Sequence, residues 1–333
     1  MTAPVLPSSP AVRRPLPLAA GGTALFAVLA LAGCGSVSGS AAGGGPAASA
    51  SAGPCGAAAV WPTGGAEPHP GWSMDGVRIL AANEVCAEYE VTNRGTEPMD
   101  VSVLFRRSGA GEFPSDDPTA TVRAVPAGGT ATGRFTVGGG GVGAQRKGAD
   151  RPPMVPDVRV LRVRSVPTAE APAPDGPCPA SGMRVFTDRP DAAMGLRAVG
   201  LHLVNCGTAA VELNGRPEVE VLDGAHRRVD SVRVLAGGAE IATGTGADVP
   251  QRRFTLRSGQ GAVAVLVWRN TTGLESEPVN APYARVRAVP GAAPVMVTPE
   301  LDLGTTGRLG VGAWAPEPAG PNGAPGTPGT PAR

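Results

Sequence analysis

Proline and glycine recur so densely along this chain, 36 and 49 times in 333 residues, that no amphipathic helical stretch of reasonable length fits between them. What fits is a series of short β-branched runs. Between residues 77 and 163 they fall at 77–80, 86–91, 101–105, 121–125, 134–137 and 158–163. Between residues 183 and 314 they fall at 183–186, 196–205, 210–213, 219–222, 232–234, 253–256, 262–268, 284–289, 295–297 and 309–314. The run 158–163 sets Val158 and Val160 against Arg159 and Arg162, the interleaving that a half-buried strand requires. Val199, Leu201 and Leu203 alternate similarly, which puts His202 on the face away from the core. Short strands with turn signals between them predict an all-β chain of sandwiches.

The Pro/Ala-rich segment 168–177 reads as a linker between two such units, 55–167 and 178–315, hence two tandem Ig-like β-sandwich domains. The units echo each other. Asn93-Arg94-Gly95-Thr96 and Asn205-Cys206-Gly207-Thr208 both close an apolar strand, and Asp100-Val101 and Glu212-Leu213 begin the next one. Asn and Gly are expected there to supply φ > 0 in a tight connection. Duplication and independent use of one turn both remain open. Gly138, Gly140 and Gly143 formally fit G-x-G-x-x-G, but no helical pattern follows and Arg151-Pro152-Pro153 would block one, so Gly138–Gly148 reads as a hairpin connection. Residues 316–333 form a Pro/Gly/Thr tail that cannot build a core and is expected to be disordered.

The N-terminus carries an export signal. Arg13 and Arg14 precede an apolar stretch from Leu16 to Leu31, and Leu31-Ala32-Gly33-Cys34 resembles the lipobox of bacterial lipoproteins. That resemblance implies a diacylglycerol on the Cys34 sulfur, removal of residues 1–33 and an acylated new N-terminus. It predicts a lipid anchor on the extracytoplasmic face of the cell membrane, reached by the general secretory or the twin-arginine route. The competing reading is an uncleaved membrane span; Pro15, Pro17 and the lack of a basic flank after Gly35 count against it. Residues 34–54, rich in Gly, Ala and Ser, read as a lipidated flexible tether.

Without Arg13 and Arg14, 27 basic residues face 28 acidic ones, a balance that leaves no electrostatic footprint for nucleic acid. Lys147 is the only lysine, which with the excess of Ala, Gly, Pro and Val suggests a GC-rich, actinobacterial source. Of five cysteines, Cys34 is assigned to lipid, leaving Cys55, Cys86, Cys178 and Cys206 for disulfides. Cys55–Cys86 with Cys178–Cys206 is the economical pairing, because each bridge then stays within one domain. Each would contribute roughly 3–4 kcal/mol by closing a loop of about thirty residues. No CxxC spacing supports zinc.

Cys178 to Trp314 resembles the domain of unknown function 4232, a β-sandwich family of actinobacterial exported lipoproteins. The resemblance rests on Cys178, on Leu201-His202-Leu203-Val204-Asn205 with its turn, and on Leu213-Asn214-Gly215-Arg216-Pro217 followed by Val219–Asp223. Arg216 stands where the family usually has an aromatic residue, Cys206 falls earlier than the family's second cysteine, and 284–297 lacks the additional cysteines of many members. The resemblance implies a fold and no activity, since the family has none assigned.

No catalytic constellation emerges. His69 lies in a Pro-His-Pro loop, His202 on a strand and His226 in a hairpin connection; all three read as solvated surface residues. Asp116-Asp117 read as turn formers before Pro118, and Arg227-Arg228 and Arg252-Arg253 as a solvated rim. Trp61, Trp72, Trp268 and Trp314 are expected to fill the cores, because only 4% of the chain is aromatic. The expectation is a non-enzymatic binding or structural module of the cell envelope, without metal or cofactor, whose partner is an envelope protein or a glycan. The alternatives are a solute-binding lipoprotein with an interdomain cleft and an envelope hydrolase.

Overall fold

A computed structural model describes residues 71–82, 86–108, 117–136, 157–273 and 277–317, all within one compact unit. The first strands are β1 (Ser73–Met74), β2 (Val77–Ala82), β3 (Cys86–Thr92), β4 (Met99–Ser108), β5 (Thr119–Val125), β6 (Thr130–Thr136) and β7 (Asp157–Pro167). A 3-10 turn at Thr168–Glu170 is the one helical element among the described residues. Then come β8 (Met183–Thr187), β9 (Asp191–Ala193), β10 (Leu196–Asn205), β11 (Val211–Asn214), β12 (Glu218–Leu222), β13 (Arg233–Ala236) and β14 (Arg253–Leu256). The last are β15 (Gly261–Arg269), β16 (Val279–Ala281), β17 (Tyr283–Arg287), β18 (Val295–Val297), β19 (Leu301–Gly304), β20 (Arg308–Val311) and β21 (Ala315–Pro316). The all-β expectation holds.

Sheet β1-β2-β3-β6 packs over sheet β5-β4-β7. The alternating residues of both supply one core: Val77, Ile79, Tyr89 and Val91 from one side, Val101, Val103, Phe105 and Val158 from the other. Tyr89 lies opposite Gly133 on β6, where a Cβ would overlap the tyrosine ring. The bare strand position lets the ring lie flat across the sheet and reach Phe105, 4.9 Å away.

The second sandwich sets sheet β8-β10-β15-β20-β13 against the smaller sheets β11-β14 and β12-β17-β18. Leu201, Leu203, Ala262 and Ala264 meet Leu213, Leu256, Val286 and Val297 between them. Pairing follows one plan in both sandwiches. β3 pairs β6 while β4 pairs β5 and β7; likewise β10 pairs β15, while β11 pairs β14 and β12 pairs β17. The single long β4 corresponds to β11 and β12 together, broken at Gly215, whose φ of +127° no other residue type holds easily.

The echoed turns are held by their asparagines. Asn93 Nδ2 donates to the carbonyls of Glu97 (2.8 Å) and Val125 (2.9 Å), and its Oδ1 accepts from Gly95 N (2.9 Å). Asn205 Nδ2 donates to Ala209 (2.8 Å) and Leu256 (2.9 Å), and its Oδ1 accepts from Gly207 N (3.1 Å). Both side chains are buried. This corrects the expectation of left-handed backbone at these turns: none of Asn93, Gly95, Asn205 and Gly207 has positive φ. The amide works instead as a staple between the end of one strand and the end of a strand in the facing sheet, and Gly207 is needed for room, since a Cβ there would lie 3.0 Å from Gly182 Cα.

Because each staple satisfies buried main-chain groups, we expect Asn93→Ala and Asn205→Ala each to lower the unfolding free energy by about 2–4 kcal/mol in urea titrations. Burial pushes the Tyr89 phenol up to about 12. The folded state therefore holds its proton more tightly than the unfolded one. Stability is fully present below pH ~10 and is lost as pH rises toward ~12, by roughly 2–3 kcal/mol, a loss that Tyr89→Phe should largely remove.

Candidate functional site

The site that the fold builds lies where β7 leaves the first core. Val166 is buried against Leu222, Tyr283 and Met296 of the second sandwich. Ser165 N donates to Tyr283 Oη (3.1 Å), and His226 Nε2 donates to Ser165 O (2.8 Å). The His226 ring stands edge-on to Tyr283 at 4.6 Å. Beside them Arg164 meets Glu300 through Nε and Nη2, both at 2.7 Å, and donates from Nη1 to Val163 O. Arg162 Nε lies 3.5 Å from Glu300. Burial pulls the Arg164 guanidinium down, but the hydrogen bond and charge of Glu300 outweigh it and raise it overall. Glu300 sits at φ +57° to make this fork, a left-handed backbone that a non-glycine residue adopts only at a cost.

The segment 168–177 is tied down as well. Arg285 bridges Glu170 (2.8 Å) and Glu220 (3.3 Å), and the Glu170 hydrogen bond drives the guanidinium further into its charged form. Arg184 donates to the carbonyls of Ala173, Asp175 and Gly176. Thr168 Oγ1 donates to Asp100 Oδ1, which also accepts from Ala124 N.

Two clefts flank this junction. One, of about 550 Å³, is lined by Arg162, Arg164, Arg197, Trp268, Glu300 and Asp302, among others. Asp302 accepts from Trp268 Nε1 (2.7 Å), Asn270 Nδ2 (3.0 Å) and Arg197 (3.1 Å). Its three guanidinium groups against two carboxylates leave an excess of positive charge. The other cleft, of about 560 Å³, is lined by Asp75, Arg94, Glu97, Arg164, His226 and Tyr283, among others.

Cys34, Cys55, Trp61, His69, Asp116, the glycine-rich stretch 138–148 and residues 318–333 lie outside the described residues. Cys178 and Cys206 form a disulfide across a separation of 28 residues. Cys86 is also disulfide-bonded. Trp72, Trp268 and Trp314 are all buried in the cores, and the indole N–H of Trp314 is satisfied by Ala288 O. Arg227 and Arg228 stay exposed and pair with Asp223 and Asp230, and Asp117 pairs with Arg106. Among the described residues no group of three or more His, Cys, Asp or Glu side chains could hold a metal ion.

Reading His202 and His226 as solvated is corrected. His226 is half-buried against Tyr283. His202 does face away from the core, yet it is covered: its Nδ1 lies 2.6 Å from Glu317 and its Nε2 2.7 Å from Asp188. The alternation of β10 gives the side on which His202 lies and nothing about what covers it. Its partners come from 14 residues before and 115 after, and no local pattern joins them.

Residues 178–315 match the family model described as Domain of unknown function (DUF4232). Comparison with curated proteins and with solved structures returned no match.

Glu300 carries the junction's one bidentate ion pair among those described, partly exposed on both sides, so Glu300→Ala should cost about 1–2 kcal/mol in urea unfolding. Glu300→Gly should cost about 1 kcal/mol less than the alanine variant, because glycine tolerates the left-handed backbone.

Proposed function

We propose that this chain is an exported lipoprotein, anchored through a diacylglycerol on Cys34 at the extracytoplasmic face of the cell membrane. There it serves as a non-enzymatic binding or structural module of the envelope. The observation that carries the reading is the tied junction, in which Arg164–Glu300, Arg285–Glu170 and the Ser165 peptide join two sandwiches into one presenting body. A body fixed in this way displays the loops at its ends at set positions, which is how sandwich domains bind. The Cys178–Cys206 disulfide supports an oxidising, exported location. The shared pairing plan supports the finer reading of both halves as Ig-like.

The two described histidines contact carboxylates and a main-chain carbonyl, not a hydroxyl or thiol, which weighs against the hydrolase. A second reading, solute binding in an interdomain cleft, is favoured by the arginine-lined cleft at the junction. Its all-β lobes and rigid join are unlike a body that closes on a ligand.

Photo-crosslinking of the intact protein on living cells, with the Cys34→Ala form as control, tests the first reading. Lys147 is the only lysine, so amine chemistry would sample little of the surface. The expected outcome is one dominant envelope protein or glycan captured only by the anchored form. Equal capture by both forms, or none under efficient crosslinking, would count against it. Saturable binding of a small anion that Arg197→Ala abolishes would favour the second.

A further inference from the structure

His202 stands on the outer face of β10 with both ring nitrogens on carboxylates: Nδ1 to Glu317 Oε1 at 2.6 Å and Nε2 to Asp188 Oδ2 at 2.7 Å. The ring stacks on Phe186, 5.0 Å between centroids and 12° from parallel. The imidazole is only 12% exposed and the Glu317 side chain 13%. The backbone around it is kept bare. A Cβ at Gly200 would lie 2.5 Å from Asp188 Oδ2 and 2.9 Å from His202 Nε2, and one at Gly261 would overlap the Glu317 carboxylate. Neither glycine has positive φ, so both serve for space and not for conformation.

A carboxylate only accepts, and a neutral imidazole has one N–H. Two carboxylates are served together only by the imidazolium; the neutral ring must aim a lone pair at one of them. Glu317 follows β21, which among the described residues meets β15 through two residue pairs, Ala262↔Pro316 and Val263↔Ala315, and Pro316 has no N–H to give. Beyond these pairs, Glu317 N donates to Gly261 O at 2.9 Å. So short a strand depends on its side-chain anchor.

The other charged groups nearby do not replace either partner. Arg184, on the same face of β8, is turned to main-chain carbonyls, and Arg189 and Asp191 are exposed. Val263 lies opposite His202 on β15.

We propose that His202 is a proton-operated latch on the C-terminal strand. With the ring doubly protonated, the latch holds Ala315–Glu317 against β15. Loss of the second proton repels one carboxylate and frees that strand. The latch is closed where the ring carries two protons and open where it carries one.

The test is hydrogen exchange on the full chain at pH 5 and pH 8, corrected for intrinsic rates and read at the Glu317 amide. The Leu266 amide on β15 serves as an internal control. Glu317 protection should fall by about tenfold or more between the two pH values, while Leu266 holds. In His202→Gln, and in Glu317→Gln at the strand end, the pH-dependent part of that fall should vanish. Equal Glu317 protection at both pH values in the native protein would overturn the proposal. So would the native pH dependence persisting in either variant.

Discussion

The peptide unit of Ser165 is the smallest object on which the arrangement depends. Its N–H and its carbonyl both project from the free edge of β7, and both are taken by the second sandwich, through the Tyr283 hydroxyl and the His226 imidazole. A strand edge left unpaired would otherwise need water or another strand. Supplying those partners from side chains of the neighbouring sandwich makes the last turn of one core the first contact of the next. Arg164–Glu300 and Arg285–Glu170 then fix the angle from either side. The residues that read as a linker are thereby part of an interface and not a spacer.

Within each sandwich the corresponding constraint is the buried asparagine. Hydrophobic contact between two sheets is non-directional and sets neither their offset nor which strand end lies over which. Asn93 and Asn205 add that direction, since each bonds the end of a facing strand, through Val125 and Pro126 or through Leu256, and its own turn through two more groups. Leaving any of these unmade is costly in an apolar interior, which turns one polar side chain into a register mark.

The strands were legible because alternation and β-branching are local. Runs such as 196–205 and 262–268 fall within β10 and β15 nearly residue for residue. The paired Asn-x-Gly-Thr segments were legible as an echo, though not as buried staples, because composition shows that a turn is present and not which of its atoms is desolvated. Trp268 and Trp314 were placed in the cores by scarcity of aromatic residues alone, and they are there. The junction and the environment of His202 were not legible. Their pairs are separated by 136 residues for Arg164–Glu300 and 115 for His202–Glu317, and an ion pair leaves no periodic trace in the chain. Glu300, moreover, occupies a backbone conformation that its residue type does not advertise.

The two described imidazoles differ in what a proton would do to them. His226 gives one N–H to a carbonyl, a bond that both a neutral and a charged ring can donate. Its arginine neighbours stay charged throughout. Gain or loss of a proton on this ring therefore does not remove its bond to Ser165 at the waist between the sandwiches. Among the described residues the strand Ala315–Glu317 would respond while the waist keeps its bonds, so that acidity alters what the molecule offers without altering where it points.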